Sequence, residues 1–218
     1  TTAGQYVNSI TLTDLFSGWT ENRALHGKKA LEVRRALVDI KKNLPFTLSH
    51  VNTDSGTEFI NQHVFDLMNP IPICSQKEKI LFTRSRPYKK NDNCYVEQRN
   101  NTHVRQLFGY YRIEDLNLVT PMNEIYIESW NPLNNFFLPS QKLISKTRVG
   151  AKIVKKHDEP QTPAARLLAS NHLSEEQKQL LRHHFKQLNP FHLSEQLEQK
   201  LKLFFNNYKQ SISYKEAA

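Results

Sequence analysis

Asp54 and Glu97 are the two carboxylates of this 218-residue chain whose surroundings suit chemistry. Asp54 lies in "VNTDSGTEFIN", between an apolar stretch and one with helical spacing, which places it at the exit of a strand. An Asp there either caps the following helix, by accepting from its first free N–H groups, or binds a metal. Glu97 follows 43 positions later in "RSRPYKKNDNCYVEQRNN", near the start of a helix that succeeds a basic, proline-broken loop. With a strand and a helix between them, both carboxylates can reach one edge of a sheet. Such a pair suits hard divalent cations, and oxygen ligands point to magnesium. Two such ions activate the attacking oxygen and stabilise the leaving one in phosphodiester chemistry.

The same loop supplies Arg84, Arg86, Lys89 and Lys90 to neutralise phosphates, and Tyr88 to stack on a base. Asn101 and Arg105, four and eight residues after Glu97, share roughly its helical face, where they either reach DNA or form a solvated surface. Asp92 and Asn93 read as caps of the Glu97 helix, and Gly56 as the residue that permits a tight strand-to-helix turn. Trp19 and Trp130 read as packing residues. The nine histidines show no ligand spacing, and Cys74 and Cys94 support neither a disulfide framework nor a zinc motif.

These residues need a scaffold of alternating strands and helices. "QYVNSITLTDLF" reads as a strand, "SGW" as a turn, and "WTENRALH" as a second strand closing a hairpin at Gly27. Asp14, on this hairpin, reads as a turn acceptor. Leu31, Val33, Ala36, Leu37 and Ile40 form a helical stripe over 28–43. "FTLSHVNTD" is a third strand, "TEFINQHVFDLMN" a helix, and "KILF" a short strand. A helix ending at Gly109 follows, and then a helical region interrupted at Pro121 and Pro132 that runs to about Phe137. The expected class is α/β, a sheet flanked by helices.

Lys and Arg number 30 against 21 acidic residues, a formal charge of +9, so a polyanion is the natural partner. Part of that charge gathers beyond Pro139, where Lys142, Lys146, Arg148 and Lys152 precede any acid until Asp158. This extended basic segment either grips a DNA backbone or is solvated surface. Two similar stretches, from His172 and His192, then read as amphipathic helices, each with a Ser in the capping position. The division is 1–140 for a core, 141–170 for the basic segment and 171–218 for a helical tail. No apolar run approaches the roughly 18 residues of a spanning helix, and a soluble, cytoplasmic protein is expected.

"TLTDLFSGWTENRAL", "VNTDSGTEFIN", "FTRSRPYKKNDNCYVEQRN" and "QKLISKTRVGAKIVKKHDEPQTPAARLL" together resemble the integrase catalytic core of DDE insertion-sequence transposases, over about residues 5 to 170. The resemblance implies an RNase H-like mixed sheet in which two Asp and one Glu bind a pair of Mg2+ or Mn2+ ions for DNA cleavage and strand transfer. It matches Asp54 to the second Asp and Glu97 to the Glu. The family's first Asp lies on a strand before "YVNSITLTDLFSGW", so the chain reads as an N-terminally truncated piece of a longer protein. Implied partners are transposon ends and target DNA, with copies of the protein assembling on them. A rival expectation is a non-catalytic DNA-binding remnant that keeps the basic surface without a working triad.

Overall fold

The computed structural model describes residues 5–53, 80–86 and 94–216. It is a mixed α/β structure of small sheets and extensive helix. Strands β1 (Asn8–Thr13) and β2 (Thr20–Leu25) form the antiparallel hairpin, followed by helix α1 (Ala30–Asn43). β3 (His50–Thr53) pairs in parallel with β4 (Leu81–Arg84). Helix α2 spans 94–108 and α3 spans 119–137, after a single 3-10 turn at Leu116–Leu118. β5 (Leu143–Val149) and β6 (Lys152–His157) make a second hairpin, and helices α4 (Pro163–Ala169), α5 (Glu175–Gln187) and α6 (Pro190–Glu216) complete the described chain. Among the described residues, no helix is long and apolar enough to cross a membrane.

The helical stripe of α1 is buried except at Leu31, in its first turn, which is exposed. Val33, Ala36, Leu37 and Ile40 are buried, and they share one core with Ile10 of β1, Leu25 of β2, Val51 of β3 and Ile80 just before β4. One helix thus covers two of the three small sheets, β1–β2 and β3–β4. A second core joins α2, α3 and α6 through Phe108, Met122, Tyr126 and Phe204, and a third packs Trp19 and Phe136 against α4 and α5. The C-terminal helices are therefore packed onto the same body as the hairpin.

All six residues of β2 are buried, so its outer edge needs partners. Three asparagines of α3 supply them. Asn135 accepts from the Thr20 N–H at 2.9 Å and donates to the Thr20 carbonyl at 2.9 Å. Asn123 does the same for Ala24 at 2.8 and 3.1 Å, and Asn131 donates to the Asn22 carbonyl at 3.5 Å. The carboxamides act as the missing neighbouring strand. Replacing Asn135 by Ala orphans two buried peptide groups, and an orphaned group costs about 1–3 kcal/mol. Chemical denaturation should show at least about that loss of stability.

Because Thr20, Asn22 and Ala24 turn their peptide groups to α3, the residues opposite them, Thr13, Thr11 and Ser9, turn theirs away from β2. In the other sheet, Leu81 donates to the Ser49 carbonyl and Ser85 to that of Thr53. Parallel pairing then leaves the His50 and Asn52 peptides facing away from β4. β1 and β3 each keep an edge without a strand partner among the described residues, although Val7, just before β1, donates to the Ile113 carbonyl.

Several expectations are corrected. The prolines at 121 and 132 do not interrupt α3. Pro121 sits in its first turn, where a missing N–H is tolerated. Pro132 comes one residue after a π turn at Tyr126–Trp130, which Asn131 closes by donating its N–H to the Tyr126 carbonyl, so the widened turn absorbs the ring. The segment 141–170 is extended only through β6. Its end is helix α4, which Thr162 caps by accepting from the Ala165 N–H. Ser174 caps α5 in a full capping box. Ser194, by contrast, lies inside α6, and Asn189 accepts from the Phe191 and His192 N–H groups at its start. The helix expected over 57–69 lies outside the described residues.

Candidate functional site

α2 begins as Cys94–Asn100, widens into a π turn at Asn101–Arg105 and ends at Gln106–Phe108, with Gly109 in the left-handed region at φ 79. Its inward face is polar. The buried His103 sits between Arg99, whose Nη1 lies 3.4 Å from Nε2, and Asn22, whose Oδ1 lies 3.0 Å from Nδ1. A guanidinium only donates, so Nε2 accepts and the ring proton on Nδ1 is donated to Asn22. Asn22 donates onward to Thr11 Oγ1 at 2.8 Å. This relay fastens α2 across the β1–β2 hairpin. Burial, and then the adjacent Arg99 charge, pull the His103 pKa down to about 3, so the ring is neutral. Burial also lowers the pKa of Arg99.

The hairpin is shaped to admit that arginine. Gly18 adopts φ 82 in the β1–β2 turn, and a Cβ there would stand 3.2 Å from Arg99 Nη2. Asp14 holds the turn by accepting from the Ser17 N–H at 2.7 Å and the Ser17 hydroxyl at 2.5 Å, the acceptor role its position predicted. Behind it, Trp19 donates to Glu21 at 3.0 Å, and Arg23 bridges Glu21 at 3.1 Å and Asp39 of α1 at 2.7 Å. Burial raises the Glu21 pKa against the opposing pull of Arg23. Trp19 and Trp130 both pack in the interior, Trp130 with its ring edge-on to His103.

With Arg99 and His103 turned inward, Glu97 is on the opposite side of the helix and exposed. Its carboxylate has no ion pair or hydrogen bond with any described residue. Asn101 and Arg105 are exposed as well, and the structure joins them through a residue the sequence reading passed over. Tyr110 donates to Asn101 Oδ1 at 3.2 Å, and the Arg105 guanidinium lies 5.2 Å from the centre of its ring. Tyr110 and Tyr111 are strongly exposed aromatics. The available signal was two aromatics and Arg112 directly after the helix-ending Gly109. An exposed tyrosine held by an arginine and an amide can stack on a base while its neighbours meet phosphate.

Arg84, at the end of β4, and Arg86 are exposed. Asp54, Gly56, Tyr88, Lys89, Lys90, Asp92 and Asn93 lie outside the described residues. Asp54 directly follows Thr53, the last residue of β3. Among the described residues, no group of three metal-ligating side chains occurs. Lys146, Arg148 and Lys152 project from the β5–β6 hairpin, whereas Lys142 is drawn inward. Its ammonium donates to the carbonyls of Leu15, at 2.7 Å, and Phe16, so it ties the hairpin base to the β1–β2 turn. Burial, and then the nearby Arg166, lower its pKa. Asp158 completes that base by pairing with Arg166 and accepting from the Lys142 N–H at 2.5 Å.

No family model matches the chain. Over 165 residues it is 34% identical to a protein of Sinorhizobium fredii (strain NBRC 101917 / NGR234) described as uncharacterized protein y4rM. The match covers 75% of this chain and 45% of that protein, so the chain spans less than half of its relative's length.

Proposed function

We propose that the chain is the catalytic core region of a DDE-type, integrase-like transposase that cuts and joins DNA with magnesium or manganese. The observation that carries this reading is the pair of open strand edges. One added strand, pairing with residues 9, 11 and 13 of β1 on one side and with residues 50 and 52 of β3 on the other, would make one continuous sheet over α1. That is the RNase H-like arrangement, and the strand preceding "YVNSITLTDLFSGW" is where the resembling family carries its first Asp. Such a strand would run beside β3, which leads directly into Asp54.

The residues fit the implied ions in their chemistry. Glu97 offers an exposed carboxylate unengaged by described residues, and Asp54 and the Asp of the added strand would supply the remaining oxygen ligands. Bound there, magnesium would lend Lewis acidity and lower the pKa of an attacking water. The chain's own part is positioning. The relay from Arg99 to Thr11 fixes the helix that carries Glu97, while Arg84, Arg86 and the Asn101–Tyr110–Arg105 cluster hold the DNA backbone and bases. Water attacks the phosphodiester at an element end, and the freed 3′ hydroxyl then attacks target DNA, so no covalent protein nucleophile is needed.

The test is to read the coding frame upstream of Thr1 and, where it encodes a strand bearing the first Asp, to assay that longer chain on duplex DNA. Cleavage in Mg2+ or Mn2+ that stops with a chelator is the expected result. Binding without cleavage under every metal condition would overturn the catalytic assignment and leave a DNA-binding remnant.

A further inference from the structure

Among the described residues, the β5–β6 hairpin has no protein layer over either face, since every residue of both strands is exposed. It carries Lys146, Arg148, Lys152, Lys155 and Lys156 with no acid, a larger positive charge than half of the chain's net +9. The register sorts these charges. Lys146 stands directly opposite Lys155, and Arg148 opposite Ile153 on the same face. The other face pairs Ser145 with Lys156, Thr147 with Val154 and Val149 with Lys152. One side is thus a tight cluster of three cations beside an isoleucine, and the other is a valine patch with a lysine at each end.

Like charges directly across a ladder are destabilising, and an isolated two-stranded ribbon is marginal in water. Among the described residues, this ribbon is held at its base, by Asp158, Arg166 and the inward Lys142. A surface that keeps three cations together without a described counter-charge is complementary to a polyanion.

We propose that the β5–β6 ribbon lies in the major groove of B-form DNA with its Lys146–Arg148–Lys155 face toward the duplex. This deepens the DNA-binding part of the function proposed above and rests on it. The B-form major groove, about 12 Å wide, admits a two-stranded ribbon. The deep, narrow major groove of an A-form RNA duplex does not. Lysines and arginine on the inserted face reach the flanking phosphates, and Ile153 meets base edges such as the thymine methyl. The opposite face, valines between lysines, is the one an anionic membrane would select, so the two partners call on different residues.

The experiment compares two sets of substitutions in the full chain by fluorescence anisotropy with a B-form DNA duplex across a salt series. K146Q/R148Q/K155Q should lower the slope of log K against log salt by about 2.7, at about 0.9 per lost phosphate contact. K152Q/K156Q should change it by less than about one unit. Lys155→Glu replaces the cross-strand repulsion with attraction, so it should keep the ribbon folded and still weaken binding at least about tenfold. Equal slope losses from the two faces, tighter binding to an A-form RNA duplex, or binding to phosphatidylserine vesicles that K152Q/K156Q abolishes while DNA binding persists would each overturn the assignment. Wild-type protein that does not bind duplex DNA would overturn it together with the function proposed above. Face-dependent binding together with a longer chain that fails to cleave in Mg2+ or Mn2+ would support the ribbon assignment and defeat the catalytic one.

Discussion

Between pH 7 and pH 5 the protein is expected to lose about 2 kcal/mol of folding free energy, most of it through His103. The folded ring has a pKa of about 3 against 6.5 when free, because it is buried and faces the Arg99 charge. Below pH 6.5 the unfolded chain takes up a proton that the folded chain refuses, so stability falls as the pH drops and the loss ends near the folded value. Each pH unit inside that window removes about 1.36 kcal/mol, which is large against a typical total of about 5–15 kcal/mol. Ordinary carboxylates titrate lower, near pH 4, and Glu21, raised by burial, acts in the opposite direction, so the comparison with a His103 variant isolates the histidine. His184, also lowered by burial and by its neighbour His183, acts in the same direction.

The measurement is urea denaturation at a series of pH values for the wild type and for His103→Gln. The variant is less stable throughout, yet most of its slope between pH 7 and 5 should disappear. An unchanged slope would place the acid sensitivity elsewhere. The folded ring stays neutral across this window, so the relay to Asn22 and Thr11 that holds the helix carrying Glu97 persists in the molecules that remain folded.

The features legible in the sequence were those governed by simple periods. The α1 stripe, apart from the exposed Leu31, and the β1–β2 hairpin follow from spacings of 3.6 and 2 residues. What escaped was set by tertiary partners. Asn123, Asn131 and Asn135, together with Pro121 and Pro132, look locally like a broken helix, because neither residue type favours a helix interior. They are tolerated because the asparagines pair with the β2 edge and a π turn precedes Pro132. Ser194 looked like a cap by analogy with Ser174, but Asn189 had already begun the helix. Lys142 counted as one more cation of a basic run, until the carbonyls of Leu15 and Phe16 gave its ammonium a fixed internal place. No spacing rule brings Tyr110 to Asn101, since the positive φ of Gly109 turns the chain back.

Replacing Glu97 by Gln should reduce metal-dependent DNA cleavage by at least about a thousandfold, because a metal-held transition state draws several kcal/mol from its charge stabilisation and each 1.36 kcal/mol is tenfold. The substitution keeps the side chain's shape and removes the charge that would hold a hard cation. Folding should be nearly untouched, within about 0.5 kcal/mol, as for surface changes remote from buried networks. DNA affinity should hold or rise slightly, since a negative charge leaves a surface that meets phosphates. That combination separates a ligand from a structural residue. Arg99→Ala, two positions along, breaks the His103 relay and should lower stability and cleavage together. If Glu97→Gln left cleavage intact in the longer chain, Glu97 would be an ordinary exposed residue and the metal would have to be held elsewhere. If it destabilised the fold as Arg99→Ala does, Glu97 would be a structural partner of residues beyond those described, and the loss of cleavage would carry no information about ligation.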